Sequence, residues 1–321
     1  MKKSIASLIF IGFFLSLAPL QAHSGQDTSA ETCYLSGKRF VQKKKIDRAI
    51  DYFKKAVALK PEVTKYHYSL GEACRIKGAY EEAASSFERV LKLDPDNGEA
   101  LCRLGDVHVA TGKSEKAVPY YEKFIRVSKS QPESLYIQGK IHDLKGETKQ
   151  AVASYRKSLS LRSGDFDTLV GLASDLVKEE NFREARDLFL RAKNIRPYDE
   201  NVLVNLGMLY TMEKYYDKAL DVLSTAIKID SFNPKTRFYL GKAYYGRGDL
   251  NRAIDHTKKA VENDPADPEK HFTLGLYYDK KGWHDMAVAE YEEALYLDPQ
   301  YLYNRLRAAD PDQKNEGEAK P

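Results

Sequence analysis

The stretch HFTLGLYYDKKGWHDMAVAEYEEALYLDP, from His271 to Pro299, gathers the side chains that chemistry most often needs. It holds His271, His284, Asp279, Asp285, three glutamates and the single tryptophan of the chain, Trp283. Imidazole and carboxylate groups together can ligate a divalent metal or pass a proton between them. His108 and His142 would add a second candidate pair if folding brought them together. The sequence context argues against both chemistries. Thirteen residues and a turn separate His271 from His284, and neither belongs to an HxxxH or HxxE pattern. The chain has no CxxC, no GxGxxG and no GxxxxGK[ST], so zinc-ribbon, dinucleotide and P-loop chemistry lack their residues. The histidines read as packing or solvated side chains. The expectation is no catalytic residue, no metal site, no cofactor and no enzymatic activity.

A repeat positions these residues instead. Steps of 34 residues back from Gly275 reach Gly241, Gly207, Ala173, Gly139, Gly105, Gly71 and Gly37. Twelve residues beyond each stands an alanine: Ala49, Ala83, Ala117, Ala151, Ala185, Ala219, Ala253 and Ala287. Around these anchors apolar residues recur at helical spacing in two segments, as in Leu203, Leu206, Tyr210 and then Ala219, Leu223, Ala226. Gly78, Gly112, Gly146, Gly248 and Gly282 fall between the segments, where one helix must end and a turn form. Breakers such as Asp94-Pro95, Asp264-Pro265 and Asp298-Pro299 close many units, and Pro132 and Pro234 stand where a helix accepts proline, at its first position. Small residues at the two fixed positions let paired helices approach closely. A large side chain nearby (Phe53, Phe87, Tyr121, Tyr155, Phe189 or Tyr291) fills the space that remains.

The Leu-Gly pairs (Leu70-Gly71, Leu104-Gly105, Leu206-Gly207, Leu240-Gly241, Leu274-Gly275), the recurrent alanine, the aromatic four residues later and the closing proline resemble the tetratricopeptide repeat. The resemblance implies an all-α fold, a right-handed superhelical solenoid of antiparallel helix pairs. Eight units of this kind occupy 30–63, 64–97, 98–131, 132–165, 166–199, 200–233, 234–267 and 268–301. It also implies that the first helices line a concave groove and that the chain is an interaction scaffold.

Positions two, five, nine and twelve of a first helix share one face. Through units five and six that face reads Val170, Ser174, Val177, Val204, Met208 and Thr211, a strip without charge. Tyr136 and Lys140 flank it on one side, Phe238, Lys242 and Tyr245 on the other, and Phe272, Leu276 and Asp279 continue the face in the last unit. The expected partner-binding groove is therefore Tyr136, Lys140, Val170, Ser174, Val204, Asn205, Met208, Phe238, Lys242, Tyr245 and Phe272, holding a peptide with apolar anchors and an acidic flank. An alternative role for position five is packing between adjacent units. No unit has the Lys and Asn at positions five and nine that the family's carboxylate clamp needs, which disfavours chaperone tails as partners.

The rest of the chain sets the context. Hydrophobic residues at 42% and charged residues at 31% provide for a core rather than disorder. A formal charge of +4 is too small for a nucleic-acid binder. Lys2 and Lys3 followed by an apolar run from Ile5 to about Leu20 have the form of a signal peptide over 1–22. The run is shorter than the roughly 20 apolar residues of a spanning helix. Export to a bacterial periplasm or extracellular space is expected, with no integral membrane span after cleavage. Cys33, Cys74 and Cys102 are too few for a disulfide framework and leave room for one bridge at most. A linker is expected at 23–29, and one or two helical turns then a disordered polar tail at 302–321. The last second helix, around Ala294 and Leu295, is expected to be partly exposed and to mediate weak self-association. The functional expectation is a scaffold for a protein or peptide in cell-envelope assembly or secretion. The alternative is a carbohydrate-binding accessory of polysaccharide export, since aromatic grooves also stack sugars.

Overall fold

A computed structural model describes residues 24–309 of the chain. The expected signal peptide and the end of the polar tail lie outside the described residues. Seventeen helices and no strand are present among those residues, and the chain divides into two compact units, Met1–Lys129 and Ser130–Pro321.

The first unit contains α1 (Ser24–Gln42), α2 (Ile46–Leu59), α3 (Thr64–Lys77), α4 (Tyr80–Leu93), α5 (Gly98–Ala110) and α6 (Ser114–Val127). The second contains α7 (Gln131–Leu144), α8 (Thr148–Leu161), α9 (Phe166–Lys178), α10 (Phe182–Ile195), α11 (Glu200–Met212) and α12 (Tyr216–Ile229). It continues with α13 (Pro234–Gly246), α14 (Leu250–Asn263), α15 (Pro268–Lys281), α16 (His284–Leu297) and α17 (Pro299–Ala309). Within each unit the helices pair in sequence, first with second, and each second helix also packs on the next first helix. Turns of about three residues between packed partners make each pair an antiparallel hairpin.

The anchors act as their sizes require. A Cβ placed on Gly71 would lie 2.7 Å from the Phe87 ring, on Gly105 2.4 Å from Tyr121, on Gly139 2.4 Å from Tyr155 and on Gly275 2.6 Å from Tyr291. All eight fixed alanines of the second helices are buried. The turns repeat with the same register. Gly78, Gly112, Gly146, Gly248 and Gly282 adopt φ between 71° and 81°. In the other three repeats the equivalent residue is Lys44 (φ 55°), Glu180 (φ 58°) or Lys214 (φ 63°), so a residue with a Cβ takes the left-handed region at that point.

Two local expectations are corrected. Residues 24–29 belong to α1 rather than to the expected linker at 23–29, and no proline interrupts this stretch. The C-terminal turns form an eleven-residue helix, α17, that starts at Pro299 inside the eighth repeat. Proline is compatible with a helix start, and two contacts fix the helix. Tyr301 meets Phe272 edge-on at 6.1 Å, and Arg305 lies 3.6 Å from Glu269. Around α16, Ala294 is fully buried whereas Leu295 is exposed.

Candidate functional site

The first helices start in a recurrent way that sequence reading did not single out. Asn97, Asp165, Asp199 and Asn233 each accept a hydrogen bond from the backbone N–H three residues on, at 2.9–3.1 Å, and Asp267 accepts from Glu269 N at 2.9 Å. Such caps satisfy donors that a helix start leaves open. They hold the first helices in register, and with them the face expected to bind.

On that face the second compact unit separates the expected residues into two groups. Val204 and Phe238 are only 4% exposed, and Asn205 and Met208 are also buried. The Asn205 amide donates to the Asn201 carbonyl at 2.9 Å and its Oδ1 accepts from Lys235 Nζ at 3.1 Å. This part of the strip packs between neighbouring repeats and presents little to a partner. Val170 and Ser174 are half-buried. Tyr136 tilts onto Tyr155 at 5.9 Å with Lys140 5.7 Å above its ring.

The accessible part lies farther along. Lys242, Tyr245 and Phe272 border a cavity of 310 Å³ together with Tyr216, Leu276 and Tyr301. Tyr245 is 41% exposed and Leu276 40%, and the Tyr245 ring stacks on Tyr277 at 4.6 Å and 22°. Lys242 donates to Glu269 Oε1 at 2.8 Å and its ammonium lies 4.6 Å from the centre of the Phe238 ring. Arg305 approaches the same Glu269 carboxylate, so the rim is an ion cluster and the wall is aromatic. Gly246 makes the space: a Cβ there would lie 2.2 Å from Tyr216. Burial pushes the Tyr277 and Tyr301 phenols above their ordinary values, which keeps both neutral donors. The volume is at the lower end of roughly 300–1,000 Å³ for ligand pockets, room for one or two side chains of a partner. Tyr216, Glu269, Tyr301 and Arg305 were not anticipated. The only sequence signal for them was Gly246, an extra glycine two residues before the turn glycine Gly248.

An ionic network around one buried carboxylate adjoins the half-buried end of the strip. Asp175, 1% exposed, occupies the place that Leu209, Ala243 and Tyr277 take in later repeats. Lys178 donates to Asp175 Oδ1 at 2.7 Å and to Asp143 Oδ1 at 3.2 Å, while the Tyr155 hydroxyl donates to Asp143 Oδ2 at 2.7 Å. Asp175 Oδ2 is buried without a hydrogen-bond partner. Burial pushes the Asp175 carboxyl up to about 6, and the neighbouring Asp143 carboxylate adds to the rise.

The histidines are dispersed. His271 is buried, with the Pro265 carbonyl 3.0 Å from Nε2 and Glu290 Oε2 2.7 Å from Nδ1. His67 makes the equivalent contact to the Pro61 carbonyl at 2.8 Å. His284 is exposed beside Asp279, His108 stacks on Tyr120 at 5.5 Å, and His142 faces Glu147 at 2.6 Å. Among the described residues no three His, Cys, Asp or Glu side chains converge as a metal-binding group. Among the described residues no disulfide joins Cys33 to Cys74, and burial with the nearby Glu82 pushes the Cys74 thiol up to about 11. No helix among the described residues is long and apolar enough to cross a membrane.

Profiles of the tetratricopeptide repeat match residues 34–98, 102–166, 76–123, 200–233, 271–301 and 234–267. Comparison of the sequence with functionally curated proteins gives no match. Among solved structures, the crystal structure of the APC/C hetero-tetramer Cut9-Hcn1 superposes with a TM-score of 0.71 at 16% identity. That match covers 89% of this chain and 57% of the other, so this chain spans little more than half its length. MamA 41-end from Desulfovibrio magneticus RS-1 matches 53% of this chain and 97% of its own, with a TM-score of 0.49 and 20% identity. The first of these similarities carries the fold alone.

Proposed function

Because the chain belongs to the tetratricopeptide repeat family, we propose that it is a non-enzymatic scaffold holding a protein or peptide partner at the cavity beside Tyr245 and Leu276. The observation that carries this reading is the pairing of those two exposed apolar side chains with a rim whose charges already satisfy one another. Such a site gains little from a charged ligand and most from an inserted apolar or aromatic side chain. Aromatic anchors of this kind contribute on the order of 2 kcal/mol each. The lysines and apolar run of the N-terminus support placing this role outside the cytoplasm, in cell-envelope assembly or secretion.

A photoreactive residue at Leu276, crosslinked in cells and followed by mass spectrometry, tests the site. One recurring protein partner is expected, together with a loss of about thirtyfold in its affinity for Tyr245→Ala. Crosslinks from buried Val204 serve as the control and should stay within the chain. A Leu276 probe that captures no protein, or purified chain that binds a glycan array instead, would exclude the protein-binding reading. Export is tested separately: a periplasmic or secreted chain lacking about its first 22 residues is expected, and a cytoplasmic full-length chain would refute it.

A further inference from the structure

The two terminal repeats differ from the others in charge. Residues 30–63 carry nine lysines and arginines against four aspartates and glutamates. Residues 268–301 carry three against seven. No inner repeat departs from neutrality by more than two charges, so the imbalance belongs to the ends.

On the first repeat Arg39, Lys43, Lys44 and Lys45 are exposed, and none has an ionic partner among the described residues. Arg39 occupies a position that Ala73, Val107 and Leu209 bury in later repeats. Among the described residues no helix precedes α1 to cover that face. Leu35, on the same helix, is also exposed.

The eighth repeat is the converse. Helix α16 contains no lysine or arginine, and its Asp285, Glu292 and Glu293 are exposed without ionic partners among the described residues. Val288 is 54% exposed although its counterpart Ile254 is 8%. Among the described residues no second helix follows α17 to cover it. The apolar character of α16 exceeds what a missing neighbour requires. Met286 is exposed where earlier repeats place Glu184, Lys218 and Arg252, and Tyr296 is exposed where they place Arg126, Lys228 and Glu262. A helix apolar on several faces calls for burial, and an apolar surface with acidic neighbours fits a basic counterpart.

We infer that two copies of this chain associate head to tail, the acidic apolar face of α16 on one copy against the basic face of α1 and its turn to α2 on the other. The occupant is a second copy because the complementary charge is carried by the opposite end of the same sequence. The contact is heterologous: each bound copy presents a fresh acidic end and a fresh basic end, so association continues beyond two unless the chain of contacts closes. Because the attraction is largely between exposed charges, salt weakens it.

Sedimentation velocity of the full chain across a concentration series tests this. The expected result is a sedimentation coefficient that rises with concentration in dilute buffer and falls back to the monomer value at about 0.5 M salt. The change should be accompanied by a blue shift of Trp283, the only tryptophan, which precedes α16 and is exposed. Two charge-reversed proteins, K43E/K44E/K45E and E292K/E293K, should each remain monomeric. All five positions are exposed, so circular dichroism should stay that of the parent chain. Mixed in equal amounts they should associate again, since one supplies an unaltered acidic end and the other an unaltered basic end. A parent chain that stays monomeric in dilute buffer overturns the inference. So does association that survives in K43E/K44E/K45E alone, which would mean that α16 pairs with itself or with another surface.

Discussion

Replacing Glu180 or Lys214 with glycine should stabilise the second compact unit. Both residues sit at the turn between paired helices with φ of 58° and 63°, where five other repeats place glycine. For an L-residue the left-handed region costs roughly 1–2 kcal/mol, from crowding of Cβ against the carbonyl. Glycine removes that cost but loses more chain entropy on folding, roughly 0.5–1 kcal/mol. The backbone bonds that close these turns, Glu180 N to Val177 O and Lys214 N to Thr211 O, both 3.1 Å, do not involve the side chain. Both side chains are exposed, so no packing is lost. The net gain expected is about 0.5–1 kcal/mol for each change, and about twice that for the pair, since the turns are separate. Urea denaturation followed by circular dichroism measures it, with Lys145→Gly as the control. Lys145 is in the turn before Gly146 and has φ −89°, so glycine there brings only the entropic loss. If E180G and K214G lower the midpoint as K145G does, the left-handed strain assigned to these turns is refuted.

Two other outcomes follow from buried groups. The Asp175 carboxyl is raised in the folded chain, from 3.8 to about 6, so protonation favours folding. Its contribution is complete below 3.8 and is lost as pH rises through about 6, on the order of 1–3 kcal/mol. Asp175→Asn should therefore gain stability relative to the parent as pH rises from about 4 to about 7, and parallel urea midpoints for the two proteins across that range would refute it. Gly139→Ala places a Cβ 2.4 Å from the Tyr155 ring and should cost about 1–3 kcal/mol by overpacking; a midpoint unchanged by this substitution would show that the ring moves away without penalty.

The fold was legible because close helix pairing restricts residue size at fixed intervals. Gly139 against Tyr155 and Gly275 against Tyr291 are the same contact made in different repeats, and contacts of this kind leave a periodic trace. The face proposed to bind was legible only in part. Val204, Met208 and Phe238 are apolar and lie on the expected side of their helices, yet burial between adjacent repeats and exposure to a partner require the same residue type. The distance between neighbouring first helices decides between them, and no single residue encodes it. The cavity depends on residues from three repeats, with Tyr216 crossing over Gly246 and Tyr301 brought in by α17. Asp175 left a different trace, a carboxylate in a series otherwise rich in apolar side chains, which becomes informative once the series is known to be buried.

The caps before the first helices have a consequence for how such a chain can be cut and joined. Asp165, Asp199, Asn233 and Asp267 are each the last residue of one sequence repeat and the cap of the next helix pair. The piece that carries everything needed to begin its own first helix is therefore shifted one residue upstream of the sequence motif. A fragment begun at Glu200 or Pro234 would leave its cap on the discarded side, whereas one begun at Asp199 or Asn233 would carry it along. Duplication or recombination of whole modules in this chain would preserve helix starts only when the breakpoints respect that offset.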